Sequence, residues 1–395
     1  MINLESSFYQ IFEAAPERFF FAPGRINLIG EHLDYNGGAV LPSCIERGNY
    51  AALRPRRDSL VRLMALDYPE VGVRSYDLEA LPTSAIADWT KYPLGMLRLQ
   101  QASGLNLKQG VDLLIAGDLP IANGLSSSHA LMVLCAMVFA ALAGQDLSSE
   151  QELRQLAQLT QRCEHEYIGV QSGIMDGFVI ALGKKDEALL LNTKTLDFRR
   201  IGFSLFDAEL WILDSRVPRE LSASAYNARV AECKEALGLL QRAGAAISEL
   251  ADLNPDALPT YQGVLRDPLL RRVRHISSEN RRTHQAAEAL AAGEIGLFGE
   301  LLNASHVSLR DDYQVTGEAL DTLYDLCSHE KACLGARMTG AGFGGCFIAL
   351  LTKDGAESAL QRIARSYYER LGLALGYFCY GGGAAGEISE TIHNA

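Results

Sequence analysis

The spacing of apolar positions changes several times along the chain, and each change predicts an element. β-Branched and apolar runs bounded by Gly and Pro predict strands over Gly38–Ile45 and Asn49–Arg54. Val111–Ala116 predicts another, closed by the turn-like Gly117–Pro120. Ser128–Ala143 is apolar on nearly every side, which predicts a buried helix. Ser149–Gly169 carries Leu153, Leu156 and Leu159 at helical spacing and predicts an amphipathic one. From about Ala188 the strand pattern returns, in ALLLNTKTLDF and AELWILDS. Beyond Ser215 helices dominate, over Ala223–Ala243, Asp267–Ala292 and Glu318–Glu330, with Pro255 and Pro259 marking Leu253–Leu265 as a connecting loop. Cys346–Leu351 predicts a strand, Ala356–Leu371 a helix and Tyr377–Tyr380 a last strand. The pattern predicts an α+β chain of two domains, 1–203 and 204–395.

Composition narrows the function classes. The 395 residues suffice for two or three domains at roughly 150 residues each. Lys+Arg of 36 against Asp+Glu of 48 leaves a charge of −12, which disfavours a nucleic-acid or anionic-membrane binder. The longest near-continuous apolar run, Ala130–Ala143, is too short to span a bilayer. The start, MINLESSFYQ, has no basic stretch followed by an apolar block, so no secretory signal is expected. Eight cysteines without a C-x-x-C pair are too sparse for a disulfide framework and point to reduced thiols in the cytoplasm.

Four segments carry chemistry. Ala22–Pro42 concentrates Arg25, Glu31, His32, Asp34, Tyr35 and Asn36, donors and acceptors suited to a polyhydroxylated ligand or to a solvated turn. Gly117–Ala130 places Gly124 and Ser126, Ser127 and Ser128 at a strand-to-helix junction. These residues suit either a phosphate at a helix N-terminus or simple helix capping. No Walker A pattern exists in the chain. Asp176 lies between Met175 and Phe178, so it needs an ion-pair partner or a function. Arg337–Leu351 contains G-x-G-x-x-G at Gly340, Gly342 and Gly345, but a strand pattern follows it and no helix, which disfavours a dinucleotide site. Cys163–Glu166 lacks the spacing of a zinc site, although one of its carboxylates could join a magnesium shell. The arginines of Leu270–Arg282 suit a helix face paired with acidic neighbours better than a nucleic-acid patch.

Taken together, GRINLIGEHLDY at Gly24–Tyr35, NGLSSS at Asn123–Ser128, GIMD at Gly173–Asp176 and MTGAGFGGC at Met338–Cys346 resemble the ordered motifs of the GHMP small-molecule kinases, within them the galactokinase family. Ser222–Arg229, Val273–Arg282 and Ser305–Val315 extend the resemblance over nearly the whole chain. The resemblance implies a mixed-sheet N-terminal domain and a helical C-terminal domain with antiparallel strands, and an active site between them. It implies transfer of the ATP γ-phosphoryl group to the anomeric hydroxyl of galactose, with Mg2+.

By position, Asp176 would be the base and Arg25 its partner. Glu31, His32, Asp34, Gly173 and Tyr226 would hold the sugar with them. Gly124, Ser126, Ser127 and Ser128 would cradle phosphates, and Trp89 and Tyr92 would flank the adenine. Ser128 and Glu164, twelve residues before Asp176, would ligate the metal. The partners implied are a small sugar and ATP, with no nucleic acid and no membrane; a monomer is expected, with a homo-oligomer left open.

Several positions depart from the family pattern. His129 and Met132 stand for a small residue and a Glu, and Asn123 for a Gly or another small residue. Gly177 stands for a Gln, Pro218-Arg219-Glu220 for Arg-His-Ser, and Thr316-Gly317-Glu318 for Ser-Cys-Pro. They leave open a kinase for another sugar, such as N-acetylgalactosamine or arabinose, and a non-catalytic sugar- and ATP-binding regulator.

Overall fold

Strand-forming stretches gather into two sheets, and helices cover their faces. The computed structural model describes residues 3–84, 86–120, 124–145, 147–217 and 222–389, the side chains of 222–224 excepted. Its strands are β1 (Arg18–Asn27), β2 (Ala39–Val40), β3 (Pro42–Pro55), β4 (Leu60–Ala65), β5 (Arg74–Asp77), β6 (Val111–Gly117), β7 (Glu187–Asn192), β8 (Phe198–Gly202), β9 (Ala208–Asp214), β10 (Cys333–Met338), β11 (Cys346–Thr352), β12 (Gly376–Cys379) and β13 (Gly386–Ile388). Its α-helices are α1 (Leu4–Phe12), α2 (Lys91–Ala102), α3 (Ser127–Leu142), α4 (Glu150–Arg162), α5 (Met175–Leu182), α6 (Ser222–Arg242), α7 (Leu269–Ala292), α8 (Ile295–Ser308), α9 (Glu318–Ser328) and α10 (Lys353–Leu371).

The first sheet runs β13-β1-β3-β6-β4-β5, with β7 joining β2, β3 and β8 at one side. Only β4 and β6 pair in parallel; the other ladders are antiparallel. The second sheet, β10-β11-β9-β12, is wholly antiparallel. The change of sheet falls between Gly202 and Ala208, and β13 returns the end of the chain to β1.

Helix α3 packs on β1 and β3, as its all-round apolar character requires, and α4 packs on α5. One buried apolar cluster runs through both sheets. A smaller one, with Leu4, Phe8 and Phe12 of α1 over Phe19, Phe21 and Tyr50, closes the other face of the first sheet. Among the described residues no helix is long and apolar enough to cross a membrane.

Differences from the sequence pattern have local causes. The strands expected over Gly38–Ile45 and Asn49–Arg54 are the short β2 and a long β3 that runs through both spans. Glu46 and Arg47 are polar but stay extended, and Gly48 fits where a Cβ would lie 2.1 Å from the Ala22 carbonyl oxygen. The chemical motif hides β1, whose register shifts between Pro23 and Arg25. The helix expected through Gly169 is α4 followed by a π-turn at Cys163–Ile168. The pattern does not signal helices α1, α2, α5 and α8 or strands β4, β5, β8, β10 and β13; α5 is a short apolar run of the kind that reads as either strand or helix. The arginines of α7 do pair with acids, Arg272 with Glu232, Arg274 with Asp312 and Arg281 with Asp256.

Candidate functional site

The irregularity in β1 re-aims its side chains, and Arg25 turns into a cavity of about 490 Å³. The Arg25 backbone N–H donates to Leu125 O at 3.0 Å, and its Nη1 to Gly124 O at 2.5 Å. One residue therefore clamps the serine loop at the mouth of α3. From the other side its Nε and Nη2 donate to the two oxygens of Asp176 at 2.8 and 3.0 Å, a bidentate pair across 151 residues.

Ser126, in the left-handed region with φ 60°, precedes α3 without capping it. Its hydroxyl donates to Asp176 instead. The capping explanation for this serine therefore fails. Asp176 sits in the first turn of α5, where the helix dipole favours a carboxylate. Burial alone would raise its pKa, but Arg25, His129 and the Ser126 hydroxyl outweigh burial and hold it below the usual range. About a fifth of the side chain, 19%, stays exposed.

The loop after β1 turns Glu31 into a buried pin. One Glu31 oxygen meets Arg337, and the other accepts from the Gly340 N–H at 2.9 Å. Burial raises its pKa against these partners. Arg337 is wholly buried and also donates to Asn27 O and Leu28 O. Nothing in the local pattern of a strand marked Arg337 as part of the site; its place beside the glycine motif was the only signal. The glycines turn the chain from β10 to β11, and at Gly342 a Cβ would lie 2.1 Å from Val315 O.

His32 has φ 65° and is among the residues that line the cavity. Its nitrogens face inward: Nδ1 bonds Tyr35 Oη at 2.9 Å, and Nε2 is shielded from solvent. Burial, then the charges of His275 and Arg229, push its pKa well down, so the imidazole is neutral.

Asp34 faces the same cavity, against Gly173, where a Cβ would lie 1.8 Å from Asp34 Oδ2. Only glycine lets that carboxyl in. Burial and the Asp176 charge, opposed by Arg25, raise the Asp34 pKa to about 7. Burial and the nearby carboxylates of Asp34, Asp176 and Glu164 push the Tyr226 phenol well up.

Ser127, Ser128 and Glu164 also line the cavity. Ser128 Oγ lies 3.5 Å from Glu164 Oε1. His129 stands 3.3 Å from Glu164 and 3.7 Å from Asp176, so this departure bridges the two acids. Glu164 Oε2 is buried without a hydrogen bond. Of the expected residues, Arg25, Glu31, His32, Asp34, Gly124, Ser126, Ser127, Ser128, Glu164, Gly173, Asp176 and Tyr226 meet around one cavity. Trp89 and Tyr92, before and inside the first turn of α2, are outside its lining, although Tyr92 is within reach of the Glu164 charge.

Among the remaining departures, Met132 is core and Thr316 is buried. Gly177 allows α4 and α5 to touch: a Cβ there would lie 2.1 Å from Thr160 Oγ1. Asn123 and Pro218-Arg219-Glu220 lie outside the described residues.

Comparison with known proteins gives a consistent family. Residues 6–55 match the galactokinase galactose-binding signature, 91–184 the N-terminal domain of GHMP kinases and 286–370 their C-terminal domain. The chain is 41% identical over 376 residues to a galactokinase of Enterococcus faecalis, covering 95% of this chain and 96% of that one. It is 41% identical over 371 residues to a galactokinase of Lactiplantibacillus plantarum, covering 94% and 95%. The structure superposes on Lactococcus lactis galactokinase complexed with galactose with a TM-score of 0.92 at 39% identity, covering 98% and 99%. A mevalonate kinase of Methanococcus jannaschii, 18% identical with a TM-score of 0.68, shares the fold.

Proposed function

The chain belongs to the galactokinase family of GHMP kinases, and from that premise we propose that the cavity around Arg25 and Asp176 phosphorylates galactose on its anomeric hydroxyl, with ATP as donor. The observation that carries the reading is the Arg25–Asp176 pair, bound at once to the serine loop and open to a cavity lined by sugar-type acceptors.

In this reading Asp176 accepts the proton of the sugar 1-hydroxyl as O1 bonds to the γ-phosphorus. The bond from that phosphorus to the bridging oxygen breaks, and ADP leaves. Asp176 is held ionised and is a weak base, so correct placement supplies much of the rate. Arg25 fixes the carboxylate and sets a positive charge beside the transferring group. Asp34, Glu31, Tyr226 and the His32–Gly173 walls orient the sugar; Gly124 and Ser126–Ser128 hold phosphates at the start of α3. Trp89 and Tyr92 remain the proposed adenine neighbours.

The donors at Ser128 and Glu164 fit Mg2+: both offer oxygen, and Glu164 has a buried oxygen that makes no hydrogen bond. When bound, Mg2+ neutralises charge on the phosphates.

We further place the division between the two domains near residue 203, where the chain changes sheets. We also propose action as a monomer, and eight cysteines without a disulfide among them suit a reducing cytoplasm. The test is ADP release from purified protein with Mg-ATP and a sugar panel, with the product read by phosphorus NMR. Galactose-dependent release with phosphate on the anomeric carbon is expected. A preference for N-acetylgalactosamine or arabinose overturns the choice of sugar, and galactose binding without any turnover overturns the catalytic role.

A further inference from the structure

Four carboxyl groups line the cavity: Glu31, Asp34, Glu164 and Asp176. Three have a basic side chain at hand. Glu31 has Arg337, Asp176 has the two-pronged Arg25, and Glu164 has His129 at 3.3 Å. Among the described residues Asp34 has no ion pair, and the hydrogen bond that reaches its carboxyl comes from its own backbone N–H. Its Oδ2 packs closely against Gly173.

The groups that face it are few. Asp176 on α5 and Glu31 on its own loop are negative; Arg25 on β1 is positive but already engaged by both Asp176 oxygens. Tyr226 on α6 keeps its phenol proton. His129 on α3 faces Asp176 and Glu164, and the Gly173 segment contributes no charge. A carboxyl group so placed relieves repulsion by taking up a proton when only water shares the cavity.

A neutral sugar changes that balance. Its hydroxyls are donors, and an ionised carboxylate accepts from two of them, whereas a protonated one gives up part of its accepting capacity. We propose that the sugar enters the cleft in exchange for a proton held on Asp34. The inference rests on the sugar reading of this cavity. The position of the Asp34 titration, at about 7, sets where the exchange is seen.

The test is calorimetric titration of the full chain with galactose, without nucleotide, in buffers of different ionisation enthalpy. Nearly one proton should be released per sugar at about pH 6, about half at pH 7 and almost none near pH 8.5. Galactose should bind about tenfold more weakly at about pH 6 than near pH 8.5. Asp34→Asn should abolish the release. Asp176→Asn, which removes a charge that raises the Asp34 titration, should shrink the release at pH 7 while galactose still binds.

Galactose binding with no release, with proton uptake, or with release that persists in Asp34→Asn overturns this inference alone. A release at pH 7 that is unchanged in Asp176→Asn also overturns it, and this arm stands even if Asp34→Asn does not fold. Failure of galactose to bind at any pH overturns both the inference and the reading beneath it.

Discussion

At the scale of single residues, the site is a matter of which charge meets which. Asp176 is useful because Arg25, Ser126 and His129 keep it ionised although it lies in an apolar setting. Replacing it with Asn preserves shape and one accepting oxygen but removes the proton acceptor. Asp176→Asn should lower kcat by about 10²–10⁴-fold, the usual range for a positioned acid or base, with galactose binding retained. Turnover and calorimetry on the folded variant check this; a kcat near that of the parent assigns the proton to another group.

At the scale of elements, the position of Asp176 depends on how closely α5 meets α4. Gly177 leaves room only for Thr160, whose hydroxyl bonds back to Ala157 O at 2.8 Å. A methyl group at 177 would overpack the contact, so Gly177→Ala should destabilise by about 1–3 kcal/mol and lower kcat by displacing the neighbouring Asp176. Thr160→Ala in the same chain should restore both, because it removes the Oγ1 atom at 2.1 Å and leaves Ala157 O at 3.3 Å and the residue-160 Cβ at 3.4 Å as the next nearest atoms. Denaturant midpoints of the two single variants and the double variant check the coupling; simply additive losses refute it.

At the scale of the whole molecule, α7 joins the sugar loop to the C-terminal helices. His275 donates through Nε2 to Glu31 O at 3.2 Å and bonds Ser308 Oγ through Nδ1 at 2.9 Å, which suits a neutral ring. Glu279 accepts from the Gly30 N–H at 3.1 Å, from Ser305 Oγ and from Arg282. Burial lowers the His275 pKa from 6.5 to about 4. Burial would raise that of Glu279, but Arg282, His275 and Arg337 outweigh it and hold it at about 2 against 4.5.

Both folded values lie below the unfolded ones, so both contributions are present above the unfolded pKa and are lost as pH falls. The His275 contribution disappears between about pH 6.5 and 4, that of Glu279 between about 4.5 and 2. Asp34 acts in the opposite sense: its folded pKa is raised from 3.8 to about 7, so its contribution weakens as pH rises through that span. Stability differences between the parent and His275→Gln, measured from pH 7 to 4, isolate the first window. The gap should narrow steadily as pH falls, and a constant gap excludes the linkage.

What the sequence determined by itself is local. The apolar periods of α3, α4, α7, α10, β6 and β11 are legible because burial of one face repeats every few residues whatever the partner is. The motifs around Arg25, Ser126, Gly173 and Asp176 are legible because a close backbone approach or a charge among apolar neighbours needs a particular residue type at one position. Tertiary structure alone decided the pairings: Arg25 with Asp176 across 151 residues and Glu31 with Arg337 across 306. It decided that Ser126 serves Asp176 rather than capping α3, that His32 turns its nitrogens inward, and that Asp34 is left without a cation. Those outcomes depend on which distant side chains the fold brings beside each charge, and local spacing carries no measure of that distance.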